Sequence, residues 1–238
     1  MVVQVRERSG SVGALPEPNH VQAACRGVVF VPHGVAPTGV RAVVKRAFDV
    51  VVAASLLLAL TPLIAATAIL VRVDSPGPIL IRQLRIGRDL RPFYMHKFRS
   101  MVADAEQRLE LLSHLNEAQA PLFKIRRDPR LTRVGAALRR SSLDELPQLW
   151  NVLRGQMSLV GPRPPFGHEV EQDFLRQRIR LRVRPGMTGL WQISGRSDLN
   201  YDQMVRLDIR YVRRWSLLTD LRILARTLPV VLVGRGAY

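Results

Sequence analysis

Lysine is almost missing from this chain. Lys45, Lys97 and Lys124 stand beside 33 arginines, and 19 acidic residues leave a net charge of +17. That surplus points to anionic partners: nucleic acid, anionic lipid headgroups or phosphorylated metabolites. Charge alone does not choose among them. There is one cysteine, Cys25, which excludes an intramolecular disulfide and fits a reducing compartment. The five histidines (His20, His33, His96, His114, His168) show no metal-ligand spacing, so structural or solvent roles are expected. There is no P-loop, no Gly-x-Gly-x-x-Gly after a strand, and no assignable Ser-His-Asp triad. The N-terminus has no basic n-region followed by an apolar h-region, so no secretory signal is expected. No internal repeat occurs. A length of 238 residues allows one domain with a core, or one domain plus a tail.

Residues 1–40 mix Pro, Gly, Val and scattered charge without periodicity, and read as a flexible arm ahead of a domain over 41–238. Then Val50 to Val71 runs for 22 residues without a charge. At ~1.5 Å per residue such a run just crosses a hydrocarbon core ~30 Å thick. Two features oppose a plain span. Thr61-Pro62 lies mid-run, where proline breaks the hydrogen-bond ladder. Both flanks are also basic: Arg41, Lys45 and Arg46 before, and Arg72, Arg82, Arg85, Arg88, Arg91, Lys97 and Arg99 after. The positive-inside rule places both on the cytoplasmic side. A re-entrant helix over about 46–72 satisfies both constraints, with Thr61 able to bond freed carbonyls. The rival reading is a buried core helix, which the length and the lack of a polar face disfavour.

Asp74-Ser-Pro-Gly-Pro78 stops the helix. Residues 79–85 and 92–98 read as a β-hairpin around Gly87. Met101, Ala105, Leu109, Leu112 and Leu115 have helical spacing, which predicts an amphipathic helix over 101–117. Shorter helices are expected over 131–140 and 166–182. Near the end, Met204, Leu207, Tyr211, Trp215 and Leu218 form an apolar stripe beside Arg206, Arg210, Arg213 and Arg214. Such a helix suits either the headgroup layer or the protein's own core.

The chemistry-bearing segment is Ser141-Ser-Leu-Asp144-Glu145-Leu-Pro147, continuing to Gly161-Pro-Arg163-Pro164. Paired carboxylates can attack phosphorus or hold a divalent metal, and a pre-oriented guanidinium can fork onto phosphate oxygens. The plainer alternative is a capping box, Ser142-x-x-Glu145, with both acids favoured by the helix dipole. Under that alternative Pro147 would fall at the fifth helical position, so the helix must start later or be distorted beside the acids.

This run resembles the signature of the bacterial sugar transferases, the monotopic polyprenyl-phosphate phosphoglycosyl transferases. Further blocks extend the resemblance over roughly residues 41–238: Gly77-Pro78 through Gln83, Arg85 and Gly87; Lys97-Phe98-Arg99-Ser100-Met101; Asp128-Pro129-Arg130; Arg184-Pro185-Gly186-Met-Thr188; Trp191-Gln192; and Gly195-Arg196. Gln156 stands where that family often has an acid, so it is given no catalytic role. The resemblance implies an α+β, mostly helical, monotopic membrane protein. Its parts would be a re-entrant helix broken at Thr61-Pro62, a small β-hairpin, interfacial amphipathic helices and a catalytic part over 73–238. The implied activity is transfer of a sugar 1-phosphate from a nucleotide diphosphate sugar, UDP-linked by expectation, to polyprenyl (undecaprenyl) phosphate. This would occur at the cytoplasmic face of the bacterial inner membrane, as the start of exopolysaccharide or related glycan assembly. Asp144 is the expected nucleophile and a metal ligand, ionised beside a helix N-terminus. Glu145 would hold the metal or orient Asp144. Mg²⁺ is the expected cofactor. Arg163, Lys97, Arg99 and Arg196 are the expected substrate contacts. Membrane lipids are expected as partners and nucleic acid is not; oligomeric state is left open, a homodimer included. A basic nucleic-acid-binding protein and a non-catalytic membrane assembly factor are the alternative readings.

Overall fold

The computed structural model describes residues 37–108, 111–117, 121–123, 125 and 127–233. The arm expected over 1–40, except its last four residues, therefore lies outside the described residues, as do Cys25, Lys124 and 234–238.

Helix α1 (Gly39–Ala59) is followed after one residue by α2 (Thr61–Asp74), and the pair is bent by 63°. Pro62 sits in the first turn of α2, where its missing N–H costs nothing. Thr61 Oγ1 donates to the Leu57 carbonyl at 2.7 Å, covering a group the break would otherwise leave free. The expected break is present. No single described helix is long and apolar enough to cross a membrane; α1 and α2 reach that standard only as a bent pair. Their outer faces hold large exposed apolar side chains, among them Val51, Leu58, Ile69 and Val73, with Leu58 and Val73 each 80% exposed.

Two cations read in the sequence as a basic flank turn inward instead. Lys45 is buried between Asp49 (3.0 Å) and Asp220 (2.9 Å). Asp220 also accepts from Tyr211 Oη at 2.8 Å and Trp215 Nε1 at 3.1 Å. Arg46 donates to the Val152 and Leu153 carbonyls at 2.6 and 2.8 Å.

Strands β1 (Leu80–Ile86) and β2 (Pro92–Phe98) form the antiparallel hairpin, with Ile81 opposite Lys97 and Arg85 opposite Phe93. Helix α3 (Arg133–Ser141) is capped by Thr132 Oγ1, which accepts from Gly135 N at 2.9 Å, and by Asp74 Oδ2, which accepts from Val134 N at 3.1 Å. Gly135 has to be glycine, since a Cβ there would overlap the Ser100 backbone. Helix α4 (Gln148–Leu153) leads to β3 (Ser158–Val160), which pairs in parallel with β4 (Gly186–Thr188). Between them lie α5 (Gly167–Gln172) and α6 (Phe174–Arg180). The single helix expected over 166–182 is divided at Asp173, whose φ −141° and ψ 47° interrupt the ladder.

Helix α7 (Tyr201–Arg213) has an Asn200/Gln203 capping box, and α8 is Leu217–Val233. The core joins Ala53 of α1, Leu149 and Val152 of α4, Leu159 and Val160 of β3, Tyr211 and Val212 of α7, Trp215 and Ile223. The stripe on α7 thus docks on the protein's own core, while Leu218, Leu221 and Leu228 of α8 remain exposed.

The amphipathic helix expected over 101–117 is not formed among the described residues of that range. Turns and a short 3₁₀ segment, Ser113–Leu115, take its place. Ala105 is buried, but Leu111 and Leu115 are exposed and Met101 joins an isolated bridge to Leu131. Helical spacing without a surface to bury against does not hold a helix.

Candidate active site

The acid pair sits on a 3₁₀ turn, Leu143–Glu145, between α3 and α4. Ser142 does not cap a helix from its N-terminal side. It ends α3 in the left-handed region (φ 56°) and directs the chain into the turn. Helix α4 starts only after Pro147, which resolves the proline conflict by a later start. Ser142 Oγ accepts from Arg196 Nη2 at 3.1 Å, and Arg196 is itself left-handed (φ 49°). Two strained non-glycine residues therefore meet beside the acids, a placement typical of functional sites.

Asp144 is buried, 6% exposed, while the Glu145 side chain is 37% exposed. Lys97 reaches both from β2: its Nζ lies 2.8 Å from Glu145 Oε1 and 3.9 Å from Asp144 Oδ2. Burial pushes the Asp144 carboxyl up to about 6, the nearby Lys97 ammonium restraining the rise and the Glu145 charge adding to it. The expectation that a helix N-terminus favours the charged form is corrected in direction: burial on a short 3₁₀ turn raises the carboxyl, though at neutral pH it remains mostly ionised. For Glu145 burial also acts upward, but Lys97, Arg196 and Arg85 together hold it below the ordinary range. One carboxyl is thus poised near neutrality beside one firmly ionised.

The hairpin and α4 are fastened beneath this site by Asn151, which is fully buried. It accepts from His96 N at 3.0 Å and donates to Tyr94 O at 2.8 Å and Gln156 Oε1 at 2.7 Å. Gln156 therefore belongs to the packing that holds Lys97 against the acids. An acid at that position could accept the same hydrogen bond.

Of the expected substrate contacts, Lys97 and Arg196 come to the acids. Arg99 does not. It is buried, and its guanidinium donates to the carbonyls of Val71, Ser75 and Pro76 at 3.3, 2.6 and 2.6 Å, closing the end of α2. Arg163 is intermediate. Its Nη1 spans both oxygens of buried Glu169 at 3.0 and 2.8 Å, and its backbone N–H donates to Asp208 at 3.3 Å. Arg163 overcomes the burial that would raise Glu169, and keeps that carboxyl low.

Sequence reasoning missed Arg139, Arg85 and Glu169. Arg139 Nε donates to Ser100 Oγ at 3.1 Å, and its charge acts on Asp144. Arg85 is buried with its Cζ 3.3 Å from the centroid of the Phe166 ring. Strand alternation offered a signal for it, since residues 81, 83 and 85 share the hairpin face of Lys97.

Two carboxylates are a donor set for a hard divalent cation that completes its shell with substrate phosphates and water. Among the described residues no group of three or more His, Cys, Asp or Glu converges, so a protein-only cage is not built. A cavity of about 240 Å³ lies away from the acids, lined by Asp173, Arg176, Tyr201 and Asp202 among others. Its one cation, Arg176, is already paired with Asp173 (2.7 Å) and Asp202 (2.6 Å). The charges, not that cavity, mark the site.

Comparison with known proteins gives the family. Residues 40–234 match the bacterial sugar transferase family. The chain belongs to that family. It is 43% identical over 216 residues to an exopolysaccharide production protein, ExoY, of Rhizobium meliloti, covering 88% of this chain and 95% of that protein. It is 46% identical over 198 residues to a UDP-galactose-lipid carrier transferase of Erwinia amylovora, covering 82% of this chain and 41% of the relative. A galactosyl transferase, CpsE, of Streptococcus agalactiae is 49% identical over 163 residues, which is 68% of this chain and 36% of the relative. The chain thus spans less than half the length of the last two.

Proposed function

We propose that this bacterial sugar transferase moves a sugar 1-phosphate from a UDP-sugar to undecaprenyl phosphate through a covalent intermediate on Asp144. The observation that carries the reading is the acid pair held by Lys97, with Asp144 buried, next to the bent apolar helices. Leu143, the residue before Asp144, packs on the same apolar cluster as Ile64, Ala68 and Val71 of α2. The names of the relatives support the substrate class.

An Asp144 carboxylate oxygen attacks the phosphorus that bears the sugar, and the bond to the nucleoside monophosphate breaks. An oxygen of the lipid phosphate then attacks that same phosphorus, and the acyl phosphate bond breaks to restore the carboxylate. Glu145, fixed by Lys97, keeps Asp144 oriented. Arg196 and Lys97 face the diphosphate, and Arg163 contributes from its seat on Glu169. Asp144 and Glu145 would hold Mg²⁺, which supplies charge neutralisation at the diphosphate. A nucleic-acid-binding or scaffolding role leaves the buried Asp144 beside Glu145 without purpose. The test is a donor panel: membranes, undecaprenyl phosphate and nucleotide sugars, with release of nucleoside monophosphate measured. Release that does not depend on any nucleotide sugar rejects the reading.

The bent pair forms a re-entrant wedge in this proposal. The apolar stretch of α1 from Val50 to Ala59 rises about 15 Å, half of a hydrocarbon core. Cys25 and a tag after Tyr238 should then report the same, cytoplasmic, face of the inner membrane. A membrane-impermeant thiol reagent should label Cys25 only after lysis, and Pro62→Leu should favour a straight span. Opposite faces for the wild-type ends would reject the wedge.

Arg163→Lys should lower turnover about 10- to 100-fold with the protein still folded and membrane-bound. The charge survives, but Lys puts one nitrogen where Arg has Nη1 on Glu169 and further guanidinium N–H groups left for phosphate oxygens. Near-normal turnover would remove Arg163 from the phosphate contacts.

A further inference from the structure

The reaction above assigns the donor's sugar, its phosphates and the lipid phosphate, but leaves the nucleoside without a seat. Lys97 and Arg85 lie on one face of the β1–β2 hairpin, because each shares that face with the residue opposite it in the register. The positions opposite Arg85 and at Lys97 are four residues apart on β2, about 14 Å at ~3.4 Å per residue. A cationic row therefore leads away from the acids, from Lys97 to Arg85 and its neighbour Arg163.

At the far end of the row stands an aromatic group. The Phe166 ring has Arg85 Cζ at 3.3 Å and Arg163 Cζ at 6.0 Å. His168, exposed on the first turn of α5, is stacked on Phe166 with centroids 5.4 Å apart and planes 16° from parallel. Arg85 donates to Pro164 O and Gln83 Oε1, each at 3.2 Å, yet its buried Nε has no protein partner. Its charge also reaches Glu145. Acids, then cations, then flat rings follow the order of a nucleotide diphosphate sugar read from the sugar inward.

We propose that His168, seated on Phe166, is the stacking surface for the nucleobase of the donor. This rests on the donor class given above. Every nucleobase offers a π-face that can stack on a protein ring whatever the base. Such a seat sets donor affinity and leaves the chemical step to the acids.

The test uses the full chain in membranes or detergent, with uridine 5′-diphosphate and inorganic pyrophosphate as competing probes, read by binding and by inhibition of turnover. His168 is exposed, so His168→Ala does not disturb the core. His168→Ala should weaken uridine diphosphate binding about tenfold, leave pyrophosphate binding as in the wild type, and raise donor KM rather than lower kcat. His168→Phe, which keeps a flat ring, should recover most of the lost affinity. Equal uridine diphosphate affinity in wild type and His168→Ala overturns the stacking surface but not the reaction. A wild type that binds pyrophosphate as tightly as uridine diphosphate overturns the stacking surface as well. Failure of the wild type to bind either probe overturns both the surface and the donor class.

Discussion

Asp144→Asn should abolish turnover, by at least about 10,000-fold, while the protein stays folded. Asn keeps the shape of the side chain and removes the nucleophilic oxygen. Wild type given labelled donor alone should retain label on Asp144 and release nucleoside monophosphate, and two-substrate kinetics should give parallel lines. Intersecting lines with no trapped adduct would instead mean direct attack by the lipid phosphate. Wild-type kcat/KM should fall about tenfold per pH unit below about 6, because the attacking carboxylate is then protonated. A stability signature follows from the same shift. The folded state binds the Asp144 proton more tightly than the unfolded chain does, so stability falls as pH rises from about 4 to about 6. A displacement of this size corresponds to roughly 3 kcal/mol. Asp144→Asn should therefore raise Tm at pH 8 and leave it unchanged at pH 4.

Lys97→Met should be nearly as damaging. Lys97 is the ion-pair partner shared by both acids, at 2.8 Å from Glu145 and 3.9 Å from Asp144. Its charge opposes the rise of the Asp144 carboxyl and lowers that of Glu145. Without it both carboxyls move upward, and the acid limb of the pH profile should shift to higher pH by about one unit or more. Turnover at pH 7 should drop at least about 100-fold. An unchanged acid limb would show that Lys97 does not set the ionisation of Asp144.

The parts of this molecule written in local pattern were legible in the sequence. The break at Thr61-Pro62, the hairpin around Gly87 and the acid pair all follow from proline geometry, strand alternation and residue type. What failed was inference that read a residue's partner from local spacing alone. Ser142-x-x-Glu145 has the spacing of a capping box, but Ser142 is fixed instead as the left-handed end of α3, with its hydroxyl bonded to Arg196, 54 residues away. Residues 101–117 have helical spacing but no surface for their stripe. Among the arginines, residue type cannot distinguish Arg99, which closes α2 on three carbonyls, from Arg196, which comes to the acids. The destination of a guanidinium is decided by tertiary packing. Arg85 was open to inference only once the hairpin register placed it on the face of Lys97.

Arg46 carries a consequence for how this protein can be taken apart. From α1 it grips the last carbonyls of α4, the helix that starts just after the acid turn. The preceding residue, Lys45, neutralises Asp220 in the first turn of α8. The bent apolar pair is therefore not a tether that can be cut to release a working soluble domain. Trimming it would leave a buried carboxylate without its counter-ion and strip the far end of the helix that follows the acid turn. The bent apolar pair and the acid turn form one folding unit, and neither could be exchanged without rebuilding the other.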